Sequence, residues 1–276
     1  MIIVNLTTTS TRLELCGATL WSLVNQAFLP DRINVWVSRE PYLTDQGIQC
    51  IPTWILELNK INNIIHLKYT ENTGPYRKIF PALKVASDED ILVYADDDVI
   101  YGREWLQALI KNFSDNDGKY VVASRVRLRN KNVLGLYQSY NRYNICSKKT
   151  ILGNDFIITG VGGCVLYKKH INQVFINDDS YLKIAPKTDD LWISKLLMLS
   201  ETKILVCPSL IPYIQEIQHS NFALSSTNTL HNKNGGLFSI YHKIKSRIMG
   251  YAGIALSNND KAIKEIDLYF KNNYKL

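Results

Sequence analysis

Four short apolar runs, separated by segments of helical period, constrain the first hundred residues more than any other feature. Ile2 to Leu6 is a continuous apolar run broken only by Asn5, and Ile33, Val35 and Val37 alternate. Ile64 to Leu67 and Ile91 to Ala95 are the third and fourth runs. Between them Leu13, Cys16, Leu20, Leu23, Val24 and Ala27 fall at helical spacing, as do segments over Pro52 to Leu58 and Tyr76 to Ala86. Short apolar runs read as strands buried on both faces, and strands alternating with helices need crossover connections. The expected fold class is therefore α/β, a mostly parallel central sheet flanked by helices. In such sheets ligands bind beyond the carboxyl ends of the strands. That rule points to Thr7-Thr8-Thr9, Ser38-Arg39-Glu40, the loop before Tyr76, and Asp96-Asp97-Asp98.

The second half is less regular. Trp105 to Phe113 reads as a helix, Tyr120 to Val126 as a strand, and positions 129–155 as a long polar and aromatic loop or flap. Phe156 to Tyr167 reads as two short strands around Gly160-Val161-Gly162-Gly163. Asp189 to Leu199 is expected as a helix and Lys203 to Cys207 as a last strand. Past about residue 220 an Asn/Ser/Thr-rich stretch leads into two helical segments, so 221–276 is expected as a helical C-terminal extension of a main body over 1–220.

Composition narrows the partners. A formal charge of +7, from 32 basic and 25 acidic side chains, suits anionic partners as well as plain solubility. Cys16, Cys50, Cys146, Cys164 and Cys207 are scattered with no zinc spacing, which fits reduced thiols in a cytosol. No signal sequence or spanning apolar stretch is expected. The motifs of P-loop NTPases, Rossmann dehydrogenases and α/β-hydrolases are missing.

The sharpest chemical signal is Tyr94-Ala95-Asp96-Asp97-Asp98, three carboxylates at the end of a buried strand. In an extended segment Asp96 and Asp98 would point one way and Asp97 the other. Two like charges held close and partly desolvated call for a cation between them. A hard divalent ion, Mn²⁺ or Mg²⁺, fits oxygen ligands, with a diphosphate and waters completing its shell. The alternative is a solvated Asp-rich turn capping the next helix; a calcium loop lacks the required alternation.

With that motif the chain resembles the inverting family 2 glycosyltransferases of GT-A fold and their bacterial surface-polysaccharide relatives, over about residues 1–220. The resemblance rests on the opening strand, the Asp96-x-Asp98 motif, Thr159-Gly160-Val161-Gly162-Gly163, the pair Asp189-Asp190 before Leu191-Trp192, and Gly74-Pro75-Tyr76-Arg77-Lys78. It implies a nucleotide-binding half over about 1–100 and an acceptor half over about 101–220. It implies that Thr7, Thr9 and Arg12 line the nucleotide pocket, that Asp96, with Asp97 beside it, lies near the ribose, and that Asp98 holds the metal together with Asp96. Where the family carries an Asp pair after the second strand, this chain has Ser38-Arg39-Glu40, and Glu40 is the expected substitute. His219 would complete the metal shell, with His231 as the alternative.

Arg77 and Lys78 follow Gly74-Pro75 near an expected helix start, where phosphate is favoured. Displacement at an anomeric carbon needs a base for the acceptor proton, and paired carboxylates raise the pKa of one member. Asp190 is the expected base; Asp189 binds acceptor or caps the helix. Gly162 and Gly163 allow close approach of the acceptor, or bend the chain; Trp192 stacks on a sugar or fills the core.

The implied function is metal-dependent transfer of a sugar from a nucleotide diphosphate, UDP-sugar favoured, to a hydroxyl of a glycan or lipid-linked acceptor. The implied setting is bacterial surface polysaccharide synthesis in the cytoplasm, with no nucleic-acid partner. A sugar-nucleotide pyrophosphorylase would want a Gly-rich loop after the first strand, and Thr7 to Arg12 has no glycine. A non-catalytic carbohydrate-binding or scaffold subunit would not need Asp96, Asp98 and Asp190 together. Finally, Leu237, Ile240, Tyr241, Ile244, Ile248, Tyr251, Ala252 and Ala255 form an apolar stripe flanked by Lys243, Lys245 and Arg247. Over 237–256 it reads as a peripheral membrane contact, a homodimer contact, or packing on the main body.

Overall fold

Apolar side chains on both faces of the first four strands demand cover on both sides, and the fold supplies it. A computed structural model describes residues 1–217 and 247–274. The strands are β1 (Ile2–Thr7), β2 (Arg32–Val37), β3 (Ile65–Tyr69), β4 (Ile91–Tyr94), β5 (Val99–Tyr101) and β6 (Val121–Ala123). They continue as β7 (Val126–Leu128), β8 (Thr150–Leu152), β9 (Phe156–Ile158), β10 (Cys164–Leu166), β11 (Ile204–Val206) and β12 (Ile214–Glu216). Eight of them form one sheet in the order β3-β2-β1-β4-β10-β6-β11-β8. β1 is parallel to both β2 and β4, with Val4 opposite Val93 and Asn5 opposite Tyr94. β10 is antiparallel to β4 and β6, with Cys164 opposite Tyr94, and the residues that follow β4, Ala95 to Asp98, line a cleft.

Helices α1 (Leu13–Val24), α2 (Thr53–Asn59) and α4 (Trp105–Ser114) cover one face through Cys16, Leu20, Leu23, Ile55, Leu106, Leu109 and Phe113. The other face is covered by α3 (Phe80–Val85), α7 (Asp189–Leu199) and the C-terminal helix Asn258–Asn273. That last helix lies on the main body. Ala262, Ile266 and Phe270 are buried in the same core as Trp192, whose ring lies 4.9 Å from that of Phe270. Asp267 receives Arg129 at 2.9 Å and Lys195 at 2.8 Å. Ser257 and Asp260 close a capping box at its start, each side chain satisfying the other's backbone N–H.

Buried polar side chains fix the register. Asn5 Oδ1 accepts from Asn34 Nδ2 at 3.1 Å and Trp36 Nε1 at 3.0 Å, tying β1 to β2. The Val99 and Tyr101 N–H groups donate to Thr19 Oγ1 and Ser22 Oγ of α1, both at 3.1 Å. This pins β5 and therefore the turn before it, which carries the three aspartates.

Several elements differ from the sequence reading. The segment Tyr76 to Ala86 is a 3-10 turn over Gly74–Lys78 and then α3, because Pro81 has no N–H to continue one helix through Ile79. The strand expected over Tyr120 to Val126 splits into β6 and β7 at Ser124, whose hydroxyl donates to the Gly162 carbonyl. Positions 129–155 hold the edge strand β8 and a 3-10 turn, Tyr140–Arg142. α5 (Gln173–Ile176) and α6 (Tyr181–Ile184) are short helices without a periodic signal. Of the 237–256 stripe, positions 237–246 lie outside the described residues; Ile248 and Tyr251 are exposed. Among the described residues no helix is long and apolar enough to cross a membrane.

Candidate active site

A cleft of about 350 Å³ opens at the carboxyl ends of β1 and β4. Thr7, Thr9, Arg12, Arg77, Lys78, Asp96, Asp97, Asp98, Asp189 and Asp190 all line it. Residues far apart in sequence thus converge where an open α/β sheet places its ligands.

The strand stops at Tyr94, and Asp97 and Asp98 lie in a turn, so the simple alternation of an extended segment does not hold. Instead the carboxylates divide between two cations. Arg12 bridges Asp97 at 2.5 Å and Asp98 at 2.8 Å. Lys78 Nζ sits 3.0 Å from Asp96, 2.7 Å from Asp189 and 3.2 Å from Asp190. Five carboxylates therefore share two cations, and three of them, Asp96, Asp97 and Asp190, are raised chiefly by burial. Burial pushes Asp97 up to about 6 in spite of Arg12. Burial also raises Asp96; Lys78 opposes this, while Asp98 and Asp189 add to it. Burial lifts Asp190 to about 7, against Lys78 and with help from Asp189 and Asp96. Lys78 itself is held well above the usual lysine range: burial disfavours its charge, and Asp189, Asp190 and Asp96 outweigh burial.

Asp190 is positioned by a backbone group as well. The Gly160 N–H donates to both of its oxygens at 3.1 Å. Its side chain keeps 30% of its surface open, against 10% for Asp189. Asp189 is thus a buried partner of Lys78, and Asp190 is the carboxylate that a substrate can reach. Gly160 leaves room for this cluster: a Cβ there would push against Lys78 Nζ and Asp96 Oδ1, so their side-chain ends would have to shift.

Other expectations move. Arg77 and Lys78 end a 3-10 turn instead of opening a helix, and both are buried and paired. Arg77 lies 2.8 Å from Asp45. Glu40 is exposed and outside the cleft wall; the acidic residue that the β2 loop sends into the cleft is Asp45. Burial opposes the charge of Asp45, but the Ser10 and Gly47 N–H groups and Arg77 hold its carboxyl below the usual range. Trp192 is fully buried between Tyr181, Tyr269 and Phe270, so it fills the core and cannot stack on a sugar. Gly162 and Gly163 face Ser124 and Trp105, where they serve packing; Gly163 has φ +77. His219 and His231 lie outside the described residues.

The cleft also contains residues that sequence reasoning missed: Asp45, Arg125, Arg127, Tyr140, Glu216 and Asn259. The alternation of Arg125 and Arg127 around Val126 was the one available sign. Asn259 comes from the C-terminal helix, and no local pattern connects it to a site formed by β1 and β4.

Among solved structures the chain is similar to S. aureus TarS 1-349 at 20% identity, covering 74% of this chain and 56% of that one, with a TM-score of 0.46. It is also similar to the mannosyltransferase PcManGT from Pyrobaculum calidifontis, solved in complex with GDP-Man and Mn²⁺. That match has 15% identity and a TM-score of 0.46, and covers 97% of this chain and 69% of that one. The chain thus spans little more than half the length of the TarS fragment. No curated protein matches it. The model of "Glycosyl transferase family 2" matches residues 9–175, more than half of the sequence. The chain belongs to glycosyl transferase family 2.

Proposed function

We propose that this glycosyltransferase moves a sugar from a nucleotide diphosphate to an acceptor hydroxyl, with Asp190 as the general base. The observation that carries this reading is the state of Asp190. It is a half-buried carboxylate raised to about 7, fixed by the Gly160 N–H on both oxygens and open to the cleft. A base is most effective when its pKa lies near the working pH. In the reaction the acceptor oxygen attacks the anomeric carbon while the bond from that carbon to the terminal phosphate oxygen breaks. The acceptor proton passes to Asp190, and the nucleotide diphosphate leaves with the electron pair. One displacement of this kind inverts the anomeric centre.

The donor belongs on the side of Thr7, Thr9, Arg12 and the aspartate turn, with Asp45 and Arg77 behind it. Among the described residues no three His, Cys, Asp or Glu side chains converge as a complete metal cage. The cleft still fits a hard divalent ion in two respects: its donors are oxygens, and its carboxylates exceed its cations. Asp98 with Asp96 would hold Mn²⁺ or Mg²⁺, which when bound supplies Lewis-acid stabilisation of the departing diphosphate. Donor preference for a UDP-sugar, a glycan or lipid-linked acceptor and a place in bacterial surface polysaccharide synthesis follow from the family resemblance.

The test is a screen of nucleotide sugars that measures nucleotide release with Mn²⁺ or Mg²⁺ present. Release from at least one donor, abolished by excess chelator, is expected. Full activity in chelator would remove the metal from the reading, and release from no donor with any acceptor would remove the transfer.

A further inference from the structure

Three of the cations that line the cleft are committed: Arg12, Arg77 and Lys78 each lie against aspartates. Two arginines of the same cleft are not used this way. Ser124 ends β6 by donating to the Gly162 carbonyl at 2.7 Å, and the chain then presents Arg125 and Arg127 to the cleft. Among the described residues the ion pair of Arg125 is with the exposed Glu216, at 3.2 Å, and solvent-facing pairs of this kind contribute little. Among the described residues no carboxylate pairs with Arg127. One of its terminal nitrogens donates to the Tyr143 carbonyl at 2.9 Å, its guanidinium lies 5.2 Å from the centre of the Tyr140 ring, and its Nε is buried without a partner.

This wall is rigid. The Tyr140 N–H donates to Asp260 Oδ1 at 2.6 Å, and Ser139 Oγ donates to Asp260 Oδ2 at 2.8 Å. Asp260 is buried at the head of the C-terminal helix, next to Asn259. The wall also shares its cleft with the proposed base: Arg125, Arg127, Tyr140 and Asp190 line the same cavity. Burial pushes the Tyr140 phenol up, and Arg127, Asp190 and Arg125 all act on it.

Resting on the function proposed above, we propose that Arg125, Arg127 and Tyr140 form the acceptor subsite and that it selects an acceptor bearing an anionic group, a carboxylate or a phosphate. A neutral acceptor would cover Arg127 and leave a desolvated guanidinium without a counter-charge. An anion satisfies it, and arginine forks suit both carboxylate and phosphate.

Binding to the full-length chain, followed by ligand-observed NMR without added metal, tests this. Methyl β-glucuronide is compared with methyl β-glucoside, and glycerol 3-phosphate with glycerol. At least one anionic probe should bind about ten-fold tighter than its neutral twin, as expected for a charge-assisted hydrogen bond. The glucuronide arm reports a carboxylate acceptor and the glycerol phosphate arm a phosphate one. Arg127→Met should abolish the preference and Arg127→Lys should keep part of it. Arg125→Gln, on a more exposed side chain, should reduce it and serves if Arg127→Met does not fold. UDP and GDP should leave the anionic probes bound. Equal binding within both pairs overturns the proposal. So does displacement of the anionic probes by UDP or GDP, which would assign the arginines to the donor diphosphate. Failure of any nucleotide to bind strikes the functional reading instead, whatever the probes do.

Discussion

Replacing Asp190 by Asn removes a proton acceptor while keeping its shape, and the structure sets the size of two effects. With its carboxyl at about 7, roughly half of the enzyme carries an ionised base at pH 7 and about a tenth at pH 6. Turnover of the wild type should thus rise about ten-fold per pH unit below 7 and level off above it. Asp190→Asn should lose roughly 10²–10⁴-fold in turnover at pH 8, with donor affinity nearly unchanged. The second effect is on stability. A carboxyl raised from 3.8 to about 7 favours the fold in its protonated form. It imposes no penalty below about pH 4, a growing one between pH 4 and 7, and its full penalty above pH 7. The whole shift would correspond to about 4 kcal/mol, but the partly open side chain and the Lys78 contact reduce this to about 1–2 kcal/mol. The Asn variant should therefore gain stability relative to wild type between pH 5 and pH 8. Urea unfolding at both pH values and nucleotide release from pH 5 to 9 give the two readouts. Near wild-type turnover in Asp190→Asn, or a flat wild-type profile from pH 5 to 8, would refute the assignment of the base.

Lys78→Met leaves three carboxylates facing one another and should lower unfolding stability by about 3–5 kcal/mol at pH 8. The loss should shrink toward pH 5 as the raised carboxyls of Asp96 and Asp190 take up protons, a trend that denaturant midpoints would show. Gly160→Ala puts a Cβ against the ends of Lys78 and Asp96, which are able to move. Stability should fall by no more than about 1–3 kcal/mol while turnover drops at least about ten-fold; unchanged turnover would mean the contact has no bearing on the chemistry. Trp192→Ala should cost about 3–5 kcal/mol by calorimetry or denaturant, with acceptor affinity of the folded protein unchanged, as fits a core residue.

What the sequence made legible follows the range of the interactions. The first four strands and their helices were readable because burial on two faces writes itself into local periodicity, as in Ile91 to Ala95. The aspartate turn and the Asp189-Asp190 pair were readable because carboxylates are rare at the ends of buried elements. The pairing of Asp96 with Asp190 through Lys78 was not, for it joins residues 18 and 112 positions away from the lysine. Glu40 was the expected acidic residue because it stands just after β2, and Asp45 was not expected. The five residues that follow Glu40 fold back through a Tyr42–Asp45 bridge, and Asp45 is the one that returns to the cleft. Trp192 and the glycines at 162 and 163 stand beside site residues in sequence but point the other way, toward the core.

The C-terminal helix shows why the boundary near residue 220 is not a boundary of the site. Its apolar side, Ala262, Ile266 and Phe270, packs on α7, which begins with Asp189 and Asp190. Its first turn places Asp260 where Ser139 and Tyr140 need an acceptor, and Asn259 in the cleft wall. The same helix therefore backs the helix that carries Asp190 and fixes Tyr140 in the cleft wall. A cluster of five carboxylates on two cations is unfavourable in itself, and burial, with the neighbouring carboxylates adding to it, raises Asp96, Asp97 and Asp190. Such a cluster persists only where the frame around it is over-determined. Here the frame is β4 in the middle of the sheet, α1 holding β5, and the C-terminal helix holding the far wall. On the proposed reading, the charge that this frame keeps unbalanced is what draws a cation to the donor side and keeps Asp190 near neutrality on the acceptor side.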